Sequence, residues 1–192
     1  MIKKKEEESI IYQDKIANSK VKKLGDGITQ KYYIWDEMFK CHIQFHPKLI
    51  LPIIEEKFGK AYEENAEIEF LTTRYSVEYV GEKGQKILRI VLTDIVLKIE
   101  QKDIFHLECQ FAPNGEMITK MYEYDGKIAL FHRKSIREQG ENKKLIFPYS
   151  TIIYFTHTVN TPDEEMLHMK LPNGNVWEYK IPVLKVQEYS LE

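Results

Sequence analysis

Two carboxylates stand in stretches otherwise suited to a protein interior: Asp94 within RIVLTDIVLKI (89–99) and Glu108 within IFHLECQF (104–111). An ionised carboxylate moved into apolar surroundings costs on the order of several kcal/mol unless it finds a partner, and two on neighbouring strands also repel each other. A divalent cation answers both problems. With the two-residue period of a strand, Glu108, Gln110 and His106 share one face, while Phe105, Leu107, Cys109 and Phe111 share the other. An antiparallel neighbour would bring Asp94 alongside Glu108 and Gln110. Two carboxylate oxygens, the backbone carbonyl of Cys109 and several waters would then form an octahedral oxygen set. Such a set suits Mg2+ or Mn2+ and suits structural zinc poorly.

The elements that must hold these residues follow from the patterning. Apolar residues recur at helical spacing from Tyr32 to Phe45 and again from Pro47 to Phe58. Pro47 is fit to open the second segment and Gly59 to close it, while Pro52 either kinks it or delays its start. FLTTRYSVEYV (70–80), a turn at Gly81 to Gly84, the Asp94 run, a tight connection near Gln101 to Asp103 and the Glu108 run then read as a three-strand meander. After Pro113-Asn114-Gly115, the residues Met117, Met121, Tyr124, Ile128, Ala129 and His132 repeat at three and four, which predicts a helix across the sheet with Asn114 as its cap. STIIYFTHT (150–158) reads as the crossover strand that follows. MLHMKL (166–171) and VWEYKI (176–181) alternate about Asn173-Gly174 and predict an appended β-hairpin.

The expected fold is therefore α/β, with a central mixed sheet flanked by helices. Residues 1–30 are expected to form a charged, peripheral or mobile arm, 31–160 the core and 161–192 the hairpin extension. The chain closes on VLKVQEYSLE without a terminating signal, as a piece of a longer protein would.

Composition narrows the function classes. With 43% hydrophobic and 30% charged residues the chain has material for a core and a wettable surface. A formal net charge of −2 and a pI near 6.3 give no general positive field, so any nucleic-acid contact must be local. FHRKSIREQGENKK (131–144) is one such stretch, although its interspersed acids also suit an ordinary solvated face. Two cysteines, Cys41 and Cys109, cannot build a disulfide framework or a four-thiolate zinc site, and they point to a reducing cytoplasm. MIKKKEEES lacks the apolar stretch of a signal peptide, and the aliphatic run from Leu49 to Ile54 is broken by Pro52; no membrane role is expected.

The order helix, strand, strand with Asp, strand with Glu-x-Gln, helix, strand resembles the PD-(D/E)XK nuclease superfamily, with TDIVL (93–97) and FHLECQ (105–110) similar to its signature. The likeness is greatest to its transposase-like or recombination-promoting branch. There an early helix carries Asp-x-x-Phe-Lys, matched here by Asp36, Phe39 and Lys40, and Glu-x-Gln replaces Glu-x-Lys. Lys120 and Tyr124 also resemble the Gln-x-x-x-Tyr motif of the branch related to recombination exonucleases, with Lys at its first position. The similarity runs from Ile34 to Tyr189.

The resemblance implies a three-layer restriction-endonuclease-like core and Mg2+- or Mn2+-dependent hydrolysis of phosphodiesters, with DNA the expected substrate. Asp94, Glu108 and the Cys109 carbonyl would hold the metal. Gln110 would position a water, and Lys120 would supply the cation that Glu-x-Gln lacks. Asp36, Lys40 and Tyr124 would be accessory. Cleavage of both strands by one site per chain would call for a homodimer. The substitution of Gln110 for Lys keeps another outcome in view, a degenerate module that binds nucleic acid or protein without cutting. A purely structural pairing of Asp94 and Glu108 is a third. His106, His132 and His157 lack metal-ligand spacing and read as interior or surface histidines, and Cys109 reads as a small core residue.

Overall fold

The computed structural model describes residues 37–80, 86–137 and 145–189. The expected arm over 1–30, Asp36, the turn from Gly81 to Gly84 and residues 138–144 of the basic stretch lie outside the described residues.

Helix α1 covers 37–45. A 3-10 turn, Pro47–Ile50, then leads into α2, Leu51–Phe58. Pro52 falls in the first turn of α2, where a missing N–H leaves no helical bond unmade, so it delays the helix without kinking it. Gly59 closes α2 at φ 63, in the left-handed region, and its N–H bonds the Glu55 carbonyl at 2.8 Å. Ile43, Ile50 and Ile54 are buried by these segments against Ile95, Leu97, Ile99, Phe105, Leu107 and Cys109.

The meander forms, but its first two runs are each interrupted. β1 (Ile68–Phe70) pairs with β4 (Ile95–Ile99), and β2 (Arg74–Val80) pairs with β3 (Lys86–Leu92), all antiparallel, so a single long hairpin breaks into two sheets. Bonds from Leu71 N–H to the Val96 carbonyl (2.8 Å) and from Thr93 N–H to the Thr73 carbonyl (2.9 Å) carry the pairing across the break. Asp94 sits at this break and not inside a strand, which corrects the reading of 89–99 as one strand. The cause is a pair of bonds between the two strands: its N–H and the N–H of Cys109 are both bonded to carboxylates, which uses the backbone groups that further pairing would need.

β5 (Asp103–Gln110) pairs antiparallel with β4 and parallel with β6 (Tyr149–Tyr154). The long helix α3 (Met117–Arg137) makes the crossover that a parallel pair requires. The Asn114 carbonyl accepts the Met117 N–H at 3.1 Å, and its side-chain oxygen accepts the Glu116 N–H at 3.3 Å. Met117, Ile118 and Met121 pack on Ile152, Tyr154, Ile181 and Val183, while Ile128 packs on Val96. Alternate side chains of the sheet thus bury against α1 and α2 on one face and α3 on the other.

The C-terminal hairpin forms where expected, as β7 (Glu164–Lys170) and β8 (Val176–Lys185), with Gly174 at φ 86 in its turn. It is not an appendage. β8 runs on through Lys185, pairs parallel with β6 and buries Ile181, Val183 and Leu184, so the mixed sheet has six strands in the order β1-β4-β5-β6-β8-β7. Among the described residues no helix is long and apolar enough to cross a membrane.

Candidate metal centre

The β4–β5 pairing brings the two carboxylates together as expected. The Asp94 N–H donates to Oε1 of Glu108 at 3.0 Å, and the Cys109 N–H donates to Oδ2 of Asp94 at 2.9 Å. Glu108 is 4% exposed, whereas the Asp94 side chain at the strand break keeps 19% of its surface. The Cys109 side chain turns into the core on the opposite face. Gln110 ends β5 half-buried, and its carbonyl accepts the Phe155 N–H at 3.0 Å.

The structure separates the two candidate lysines. Lys40, reaching over from α1, places Nζ 2.6 Å from Oδ1 of Asp94 and 3.8 Å from Glu37. Lys120 is 45% exposed and lies 3.6 Å from Glu116 one turn before it, and among the described residues no contact joins it to Asp94 or Glu108. Tyr124 packs its ring 6.1 Å from that of His106.

Behind Glu108 lies a chain of polar groups that patterning did not reveal. His106 is fully buried, with Nε2 3.1 Å from Oε1 of Glu108 and Nδ1 2.6 Å from Oδ1 of Asp125 on α3. Asp125, itself fully buried, accepts a hydrogen bond from the Tyr179 hydroxyl of β8 on its other oxygen. The sequence of contacts is Lys40, Asp94, Glu108, His106, Asp125, Tyr179.

Burial disfavours a charged imidazole, but the hydrogen bonds to Asp125 and then Glu108 outweigh it and lift His106 to about 9. A charged ring can donate from both nitrogens, one to each of the flanking carboxyl groups. Burial raises the Glu108 carboxyl above the ordinary range; the His106 hydrogen bond opposes that rise, and the Asp94 charge adds to it. Burial, and then the charge of Asp125, raise the Tyr179 hydroxyl, which keeps its proton and acts as donor.

The sequence leaves His106 as an interior or surface histidine; the structure makes it interior, between two carboxylate partners that no local pattern reveals. Asp125 carried a readable signal. It stands four residues after Met121 and three before Ile128, which puts a charge on the apolar stripe of α3. Tyr179 had none, because its partner lies 54 residues away in sequence.

Among the described residues no group of three or more His, Cys, Asp or Glu side chains is arranged to hold a metal ion. The donors nevertheless fit a hard cation that retains its waters. Mg2+ is commonly held by one or two carboxylates, and Asp94 and Glu108 supply two linked through one backbone N–H. Both hydrogen bonds to Glu108 fall on Oε1, and among the described residues Oε2 receives none. No family model matches the chain, and no curated protein or solved structure does either.

Proposed function

We propose that the protein is a metal-dependent nuclease that hydrolyses phosphodiester bonds in DNA, with Mg2+ or Mn2+ held by Asp94, Glu108 and the Cys109 carbonyl. The observation that carries this reading is the seating of Glu108: a buried carboxylate held, among the described residues, through Oε1, beside a second carboxylate at a strand break. Helices on both faces of the mixed sheet and the β5-α3-β6 crossover agree with a restriction-endonuclease-like core.

When bound, the cation would lower the pKa of a coordinated water and offset charge on the phosphate. The chain's own residues do the rest. Asp94 and Glu108 are aligned by the N–H bonds across β4 and β5. Lys40 brings an ammonium to the Asp94 carboxylate and in this reading takes the role that the sequence suggested for Lys120, supplying the positive charge that Glu-x-Gln lacks. Gln110 cannot take a proton, but its amide can orient a water by hydrogen bonding. Tyr124 packs against His106 and steadies the wall behind Glu108. Cutting both strands of a duplex would bring two copies together as a homodimer.

A second reading is favoured by two observations, Gln110 in place of Lys and the Lys40 ammonium seated where it competes with a cation for Asp94. It is a nuclease-like module that binds nucleic acid without cutting. Calorimetric titration with Mg2+ and Mn2+ separates the two. The nuclease reading expects binding that Asp94→Asn abolishes, and the module expects heat indistinguishable from buffer in both proteins.

A further inference from the structure

We infer that His106, Asp125 and Tyr179 form a buried brace that fixes the orientation of Glu108 and makes the C-terminal hairpin part of the metal centre. The inference rests on the proposed metal site and adds three positioning residues to it, none of which touches the metal.

A glutamate has three side-chain torsions, and burial alone does not select among them. Glu108 is restrained by two donors on the same oxygen, the Asp94 N–H at 3.0 Å and Nε2 of His106 at 3.1 Å. Among the described residues this leaves Oε2 as the oxygen that would ligate. The His106 donor is useful only if the ring is held, since rotation about its last torsion would carry Nε2 away. Asp125 prevents that by accepting from Nδ1 at 2.6 Å. Asp125 is held in turn by the Tyr179 hydroxyl, which arrives from β8 on the far side of the parallel β6. Side chains of β8, α3 and β5 thus form one row that ends on Glu108.

Stability alone is a weak reason for such a row. Buried ionisable groups gain little over well-packed apolar side chains of the same volume, whereas a ligand held by an outer shell of hydrogen bonds gains orientation. Loss of an outer-shell partner typically weakens metal binding by about 10- to 100-fold.

The test is Mn2+ affinity of the full chain, read by the electron paramagnetic resonance of free Mn2+. The proteins compared are wild type, Glu108→Gln, Asp125→Asn, Tyr179→Phe and Ile128→Ala. Ile128 is buried on the same helix without a place in the brace, so Ile128→Ala reports what destabilisation alone does. Wild type should bind, Glu108→Gln should not, Asp125→Asn should bind about 10- to 100-fold more weakly, and Tyr179→Phe should be weakened in the same direction by less. Ile128→Ala should stay within about twofold of wild type.

Wild-type affinity in both Asp125→Asn and Tyr179→Phe, with Glu108→Gln still inactive in binding, would overturn the brace and leave the metal site standing. An equal weakening in Ile128→Ala would also overturn it, by showing that the effect is one of stability. Failure of wild type to bind Mn2+ would remove the metal site and the brace together. Should Asp125→Asn not fold, Tyr179→Phe removes only a hydroxyl and decides the matter.

Discussion

Lys40 and Lys120 differ in surroundings far more than in chemistry. The first is mostly covered and 2.6 Å from Asp94; the second is nearly half exposed beside Glu116. A surface pair of the second kind contributes little, typically under about 1 kcal/mol. Lys40→Met should therefore slow metal-dependent cleavage by at least about 10-fold, while Lys120→Met should leave it within about twofold, both measured as initial rates on one DNA substrate. Equal rates in the two variants would return the missing cation to some other group. A second residue-scale prediction concerns Asp103, which accepts from the Tyr62 hydroxyl at 2.7 Å and Nζ of Lys60 at 3.1 Å. Burial would raise this carboxyl, but those two hydrogen bonds outweigh burial and hold it below its ordinary value of 3.8. A lowered folded value means stabilisation that is present above 3.8 and lost as pH falls through the folded value. Asp103→Asn should thus cost about 1 kcal/mol at pH 7, with the difference from wild type shrinking towards zero in acid-unfolding titrations below 3.8.

Among the elements, helices and turns were the most legible. Met117, Met121 and Ile128 announced the buried stripe of α3, and Pro47 and Gly59 bounded the second helical segment. Gly59 at φ 63 makes a local prediction: Gly59→Ala meets no side chain yet forces a left-handed backbone on a residue with Cβ, and chemical denaturation should show a loss of about 1 kcal/mol. The strands were less legible for a physical reason. RIVLTDIVLKI reads as one apolar run because the break at Asp94 comes from hydrogen bonds to residues 14 and 15 positions later, which no local pattern encodes. The end of β8 misled in the opposite sense. Alternation in VWEYKI marked a hairpin, but the buried Val183 and Leu184 that follow it only gain meaning beside β6. Leu184→Ala should consequently cost about 2–5 kcal/mol in thermal or chemical unfolding, as a core residue would; a loss near zero would restore the hairpin as an appendage.

At the scale of the whole molecule, Asp94 and Glu108 were legible as a pair because each is a charge in an apolar run and the meander brings them opposite each other. Asp125 and Tyr179 reach the same centre only through the crossover helix and the sixth strand of the sheet, so their part emerges with the tertiary structure. The central claim is that these parts assemble a metal site that cuts DNA. Nicking of supercoiled plasmid by the purified full chain, in Mg2+ or Mn2+ and in EDTA, tests it most directly when run beside Asp94→Asn and Glu108→Gln, which preserve side-chain shape. Nicking that requires metal and falls by about 100-fold or more in both variants is the predicted result. Equal nicking in EDTA, or wild-type rates in both variants, would contradict it.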